Sequence, residues 1–285
     1  MSIKHTLVLL LKLAVCSYIF QLLFVAILPS AWADERQTVT ILADDAYPPY
    51  TFVENGQLKG IYIDLLQLAS KRLSHQYDIK FQATPWQRGL NELKDGRAFA
   101  LIPPYKHYDT RPYMKPYSVP LLTETVIMLC HQDVDISGYI GQELNSLAKP
   151  IKVGVNAGYL ILNEALSKAR KKGTLAFEEN KDTSSNVLKL LLRRIDCYLN
   201  DRISTYWEIK QLSTLFPDKK FEQVKLVESL EVMTQTAHIG YTDAPNNTYE
   251  YKGNFVIQMD KAIEDIVSSK EYAQILSSYA LPATD

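Results

Sequence analysis

Cysteine is scarce, with three in 285 residues, which excludes a small fold held together by a disulfide framework. Five scattered histidines show no ligand spacing, so the chain offers no basis for a metal site or a cofactor. Charge of one sign is also missing: 31 basic residues face 32 acidic ones, a net charge of −1. Without a basic run, neither nucleic acid nor an anionic membrane surface is an expected partner. Internal repeats and low-complexity tracts are absent. No paired-carboxylate or nucleophile–base arrangement stands out.

Long apolar runs are absent but for one. Lys4, His5 and Lys12 precede an apolar stretch from Leu13 to Leu28, and Ala31-Trp32-Ala33 offers an A-x-A site before Asp34. A positive n-region, an apolar h-region and small residues at −3 and −1 read as a secretory signal peptide over residues 1–33, so that the mature protein is expected to be exported. An uncleaved anchor is the competing reading, since the run is nearly long enough to span a bilayer. Cys16 follows Val15, which is too bulky for a lipoprotein site. Removal of 33 residues leaves 252, with 29 basic and 32 acidic side chains, because the lost segment carries two lysines and no acid. That length suits two intimate lobes or one domain. Cys130 and Cys197 remain, on apolar strand-like runs. Such cysteines read as small buried hydrophobes, with a bridge left open.

What is present is an alternation of strand and helix. Thr38–Leu42, Tyr77–Gln82 and Ala98–Ile102 read as strands. Ile61–Leu73 carries apolar residues at 61, 65, 69 and 73, and Trp86–Lys94 places Trp86, Leu90 and Leu93 on one face, ended by Asp95-Gly96. This βαβαβ order predicts a mostly parallel sheet. A long irregular stretch rich in Pro and Tyr follows from Pro103 to Tyr113, a length that marks functional loops. Leu121–Cys130 reads as a crossover strand.

A second α/β unit starts near Lys149. It has strands at Ile151–Val155, Leu175–Glu178 and Ile195–Asn200, and a helix at Tyr159–Lys171 ended by Lys172-Gly173. Ser185 is expected to cap a helix over Asn186–Arg194 with Leu188, Leu191 and Leu192 inward. Ala237–Tyr241 suits a return crossover. A strand at Asn254–Gln258 and helices at Asp260–Ser268 and Lys270–Ser278 finish the chain. Two such units joined by extended segments imply two lobes, 34–128 with 242–285 and 129–241, with a ligand cleft between them.

The organising stretch is Asp44-Asp45-Ala46-Tyr47-Pro48-Pro49-Tyr50, a turn at Asn55-Gly56, then Gly60–Ala69. Aromatic rings and carboxylates sit at a strand's C-terminal end, where open α/β sheets bind ligands. Gly60–Ala69, Asp95-Gly96, Thr110-Arg111, Tyr117-Ser118-Val119-Pro120 and Asp196–Asp201 fall in an order that resembles the bacterial extracellular solute-binding proteins of family 3, periplasmic receptors for polar amino acids. Tyr62 stands where that family's signature has an acid.

The resemblance implies a type II periplasmic-binding-protein fold of two α/β lobes joined by two crossover strands. It also implies roles. Tyr47 would pack on the ligand with Tyr50 close behind, and Trp86 would line the pocket floor. Arg111 would clamp an α-carboxylate with its planar fork. Asp201 would take the α-ammonium, and Asp44 would read a cationic side chain. Two departures widen the expected pocket. Pro103, Pro104, Tyr105 and Lys106 replace hydroxyl residues ahead of the arginine, and Gly158-Tyr159-Leu160 replaces the family's Gly-Thr/Ser.

Each of these residues has a plainer reading. Arg111 could pair with Asp109 at the surface, Tyr47, Tyr50 and Trp86 could be core, and Asp201 could be a helix N-cap. Asp196 reads as structural, and Arg170-Lys171-Lys172 as a solvated helix end. The expectation is a monomeric, non-enzymatic receptor that closes on a small polar, amino-acid-like solute and hands it to an ABC permease. Two alternatives stay open. One is a dehydratase-like enzyme using Asp44, Asp45 or His107, and the other is a sensory receptor for a membrane partner.

Overall fold

The computed structural model describes residues 36–137, 149–245 and 248–279. The expected signal peptide and Cys16 lie outside them. Among the described residues no helix is long and apolar enough to cross a membrane.

The chain opens with β1 (Gln37–Asp44), a short meander β2 (Ala46–Tyr47), β3 (Thr51–Glu54) and β4 (Gln57–Lys59), and then α1 (Ile61–Arg72). Asn55 and Gly56 take positive φ in the β3–β4 turn, as an Asn-Gly hairpin requires. Gly60 precedes α1 with φ +127°, and a Cβ there would lie 2.1 Å from the Tyr50 carbonyl oxygen. Only glycine permits that approach. It lets the first two amides of α1, Ile61 and Tyr62, donate to the carbonyls of Pro49 and Tyr50. The aromatic loop is thereby tied to the helix that follows it.

β5 (Tyr77–Thr84), α2 (Trp86–Lys94), β6 (Ala100–Ile102) and β7 (Met114–Tyr117) continue the first sheet. β1 pairs in parallel with β5 and β6. β8 (Leu122–His131) leaves for a second sheet, which gathers β9 (Ile151–Asn156), α3 (Glu164–Lys172), β10 (Leu175–Asn180), α4 (Thr183–Leu191), β11 (Cys197–Asp201), α5 (Arg202–Leu215) and β12 (Leu226–Ala237). β13 (Gly240–Thr242) returns to the first sheet, and α6 (Lys252–Val267) and α7 (Lys270–Ser278) pack back on α1. The sheet orders are β5-β1-β6-β13-β7 and β10-β9-β11-β8-β12. Two connections therefore link the sheets, side by side. The Leu121 amide donates to the Ala237 carbonyl and the Ser118 amide to the Ile239 carbonyl.

Three expectations need correcting. Residues 254–258 are helical, inside α6, where Phe255, Met259 and Ile263 are buried at a four-residue spacing. The second-sheet helix begins at Glu164 and not Tyr159, because the Asn163 side chain accepts the Leu166 amide and starts it there. The next helix is capped by Asp182, whose carboxylate accepts the Ser185 amide, so it spans Thr183–Leu191 with Val187 and Leu190 buried and Leu192 exposed. The return crossover falls where expected, at Ala237–Tyr241: it joins the end of β12, which pairs with β8 from Leu226↔His131 to Ala237↔Leu122, to β13 of the first sheet.

Cys130 and Cys197 stand opposite each other on antiparallel β8 and β11 and are joined by a disulfide. It closes a loop of 67 residues, and cross-links of that kind typically contribute ~2–4 kcal/mol by restricting the unfolded chain. A Cys130→Ser/Cys197→Ser variant should lose stability of that order in urea denaturation. An unshifted midpoint would show that the bridge contributes nothing.

Candidate functional site

The C-terminal ends of β1 and β9 and the loop after β6 converge on a cavity of about 30 Å³. That is about one water's share of liquid volume, against roughly 300–1,000 Å³ for small-molecule pockets. Six of the nine expected residues line it: Asp44, Tyr47, Trp86, Tyr105, Arg111 and Tyr159. His107, Pro103, Pro104, Leu160 and Ile161 complete the wall.

Arg111 is 4% exposed. The loop from Pro103 holds it by a turn in which its amide donates to the His107 carbonyl. Its guanidinium lies over the Trp86 ring, 5.4 Å from the centroid, and Nη2 donates to the Gly158 carbonyl at 2.7 Å. No carboxylate lies within 4.0 Å of it among the described residues, and its remaining side-chain donors find no acceptor there. The expected alternative of a surface pair with Asp109 is thus not formed. Burial lowers the guanidinium's affinity for its proton, yet an arginine stays charged across the working range. Burial and Arg111 together push His107 down to about 4, so its ring is neutral.

Gly158 supplies its carbonyl to Arg111 from a turn with φ +77°, where a Cβ would meet Gln87 Nε2 at 1.9 Å. Trp86 Nε1 stands 3.5 Å from the same oxygen. Tyr159 then turns into the cavity. Its ring sits edge-on to Tyr47 at 5.6 Å and to Trp86 at 6.0 Å. Its hydroxyl donates to Asp44 Oδ2 at 3.2 Å. Asp44 is pushed up to about 7, first by burial and also by the neighbouring charges of Asp45 and Asp182, against bonds from the Ala46 amide and Tyr159.

Tyr50 and Asp201 sit elsewhere. Neither lines the cavity; they lie one layer back, with Tyr50 5.0 Å from the Tyr47 ring. Asp201 Oδ1 accepts from the Tyr50 hydroxyl at 2.9 Å and from the Ser204 amide at 2.8 Å, the second bond being the N-cap of α5. The expected arrangement of Arg111 and Asp201 facing one shared space is not what these positions give. Asp44 is the acid at the cavity.

The residue that sequence reasoning missed is Glu124. It is 1% exposed on β8 and accepts from the hydroxyls of Tyr47 and Tyr62, and from that of Tyr105 at 2.6 Å. Tyr62 stacks on Tyr50 at 5.1 Å. Glu124 shares a face with Asp201, which pairs with Val126 two residues along β8. Burial raises both carboxyls, and the charge of Asp201 raises Glu124 further. The available signal was an acid inside the apolar run Leu121–Cys130, together with Tyr62 at a position where an acid was expected.

The model of the bacterial extracellular solute-binding proteins, family 3, matches residues 39–282. The chain belongs to that family. No characterised protein matches this family 3 chain in sequence. Its fold is that of solved type II periplasmic-binding proteins. A histidine kinase sensor domain with similarity to periplasmic binding proteins is 15% identical, with 86% of this chain and 97% of that one covered at a TM-score of 0.66. An ancestral arginine-binding protein bound to arginine is 19% identical, covering 86% and 98% at 0.63. An ancestral amino acid-binding protein, precursor of cyclohexadienyl dehydratase, is 15% identical, covering 85% and 94% at 0.62.

The raised carboxyl at Asp44 sets a pH dependence. A folded-state value above the ordinary 3.8 means that the folded protein holds a proton the unfolded chain releases. Its contribution is whole below pH 3.8 and is lost as pH rises through about 7. Stability should therefore fall across that window, and Asp44→Asn should make the slope shallower by up to ~1.4 kcal/mol per pH unit. Urea titrations at pH 4, 5, 6 and 7 measure it, and parallel slopes would mean that Asp44 ionises normally.

Proposed function

We propose that this protein is an exported, periplasmic receptor that takes a small carboxylate-bearing, amino-acid-like solute between its two lobes by hinge closure and delivers it to an ABC permease. The lobes follow the sheets. β8 lies wholly in the second sheet, which supports a division ahead of Leu122, where the two connections run side by side. Closure needs a ligand that gains contacts in the shut form which the open form lacks. Arg111 comes from the first sheet's loop and Gly158 and Tyr159 from the second sheet's β9 turn, so a guest between them meets both.

One observation carries the reading: a buried guanidinium whose single side-chain bond among the described residues is to a neutral carbonyl. Taking a charge out of water is costly without an opposite partner. A ligand carboxylate supplies that partner and engages the fork with two bonds.

A second reading has its own support. Likeness in fold to a histidine kinase sensor domain fits a receptor that signals to a membrane partner in place of a permease. Both share the binding step, and in both the chain binds without turnover.

Thermal-shift screening against amino acids, small carboxylates and amines should give a stabilising carboxylate. Calorimetry of that compound should then show Arg111→Ala weakening its binding by ~2–5 kcal/mol. Unchanged affinity would remove Arg111 from the site.

A further inference from the structure

We infer that Gly158 and Tyr159 form an internal stand-in for the ligand, and that the solute is an aryl carboxylate bearing a hydroxyl or amino group at the ring end far from its acid. The inference deepens the binding reading above and rests on it.

Three contacts define the stand-in. The Gly158 carbonyl oxygen takes the Arg111 Nη2 proton at 2.7 Å, the place of a carboxylate oxygen. The Tyr159 ring stands edge-on to Tyr47 and Trp86, at interplanar angles of 87° and 76°, the geometry aromatic pairs prefer. The Tyr159 hydroxyl donates to Asp44. An acceptor for arginine, an aromatic ring and a terminal donor thus stand in order along one short path. Between the carbonyl carbon and the ring lie the amide nitrogen, Cα and Cβ of Tyr159, the spacer length of an aryl butanoate.

The side-chain half of the stand-in is also displaceable. The turn bearing it is fixed at its base, with the Ala157 amide on the Asn180 carbonyl and the Tyr159 amide on the Asn156 carbonyl. Beyond it, residues 159–162 adopt neither helix nor strand before Asn163 caps α3, and Leu160 is 38% exposed. Withdrawal of Tyr159 breaks no element. It releases a ring-sized volume beside a cavity that is otherwise about 30 Å³. An aliphatic solute entering there would leave Trp86 without the aromatic pairing it has to Tyr159 and Tyr47 with Tyr50 alone. A guest without a donor at its far end would leave Asp44 Oδ2 without the donor it has now, with only Oδ1 held by the Ala46 amide.

The test uses calorimetry with 4-(4-hydroxyphenyl)butanoate and 3-(4-hydroxyphenyl)propanoate as probes, and L-glutamate, L-arginine and 4-methylphenol as controls. Wild type, Tyr159→Ala, Tyr159→Leu and Arg111→Ala are compared. At least one aryl carboxylate should bind wild type and bind Tyr159→Ala about tenfold or more tightly, because the ring and hydroxyl of the internal competitor are gone. Tyr159→Leu keeps an apolar side chain at the turn and should show a gain in the same direction. Arg111→Ala should abolish the binding, and 4-methylphenol, lacking the acid, should bind far more weakly. If truncating Tyr159 weakens or does not change aryl carboxylate binding, Tyr159 is a wall and not a stand-in, and the inference fails. If glutamate or arginine binds through Arg111 and the aryl acids do not, the inference fails while the solute-binding reading stands. If no carboxylate binds in an Arg111-dependent way, both fail.

Discussion

The Glu124 carboxyl beneath three tyrosine hydroxyls is the interaction on which the site's shape depends. Tyr47 and Tyr105 are walls of the cavity, and both are fastened from behind to a residue of the other sheet. Tyr62 on α1 takes the third position, and α1 is in turn tied to the aromatic loop by the close approach at Gly60. A buried acid with several donors is a demanding feature: satisfied, it fixes geometry, and left bare it would be costly. Here it selects one relative placement of the loop after β1, the loop after β6 and the start of β8. Asp201 extends the same cluster through Tyr50 while starting α5. Ser204 Oγ adds a donor to the Pro48 carbonyl at 2.6 Å. Cavity walls made this way keep their rings in place from behind, with the opposite side of Tyr47 and Tyr105 facing the cavity.

Charge distribution across the cavity follows from that arrangement. Glu124 and Asp201 are withdrawn behind the aromatic layer, and Arg111 and Asp44 remain at the front. Arg111 lacks a carboxylate partner among the described residues, and Asp44 is lifted toward neutrality by burial. The front therefore offers one strong donor fork and one weakly acidic acceptor, separated by the rings of Trp86, Tyr159 and Tyr47. That is a polar–apolar–polar sequence, and it differs from the two opposite full charges, one per lobe, that the family resemblance implied.

Much of this was legible in the sequence, for identifiable reasons. The stripe at 61, 65, 69 and 73 is a surface helix's apolar face, and α1 follows it. The loop from Pro103 to Tyr113 is long because it has to carry Arg111 to the cavity. Misreadings came where two periods or two caps compete. Asn254–Gln258 is too short to separate strand from helix until Met259 and Ile263 extend the spacing. Ser185 and Asp182 are both able caps, and the acid three residues ahead of the Ser185 amide took that amide. β12 carries polar and apolar residues on both faces because it is an edge strand with little buried surface, so periodicity marked only its end. Glu124 was hidden by its neighbours, since an acid in an apolar run is read as an exception until its partners, 19, 62 and 77 residues away in sequence, are seen. Asp201 was placed on the right element and at the wrong surface, because an N-cap fixes where a carboxylate begins and not which cavity it faces.

A receptor that holds part of its own chain in the ligand's position binds by exchange, and exchange changes what affinity reports. For such a receptor the binding free energy is the difference between the ligand's contacts and those of the internal segment, so the competing state lowers apparent affinity by the fraction of molecules that occupy it. Discrimination rises in return. A guest that satisfies Arg111 but not Asp44 leaves a buried acceptor that the tyrosine hydroxyl had matched, and such a mismatch costs ~1–3 kcal/mol. A guest that fills the ring position without an acid returns Arg111 to an unpaired buried charge, which costs more. Weak partial mimics are therefore penalised at each of the three contacts, and the internal residue sets the standard each must exceed. On this argument Gly158 and Tyr159, the second of which departs from the expected Gly-Thr/Ser, are the part of the chain that defines its selectivity.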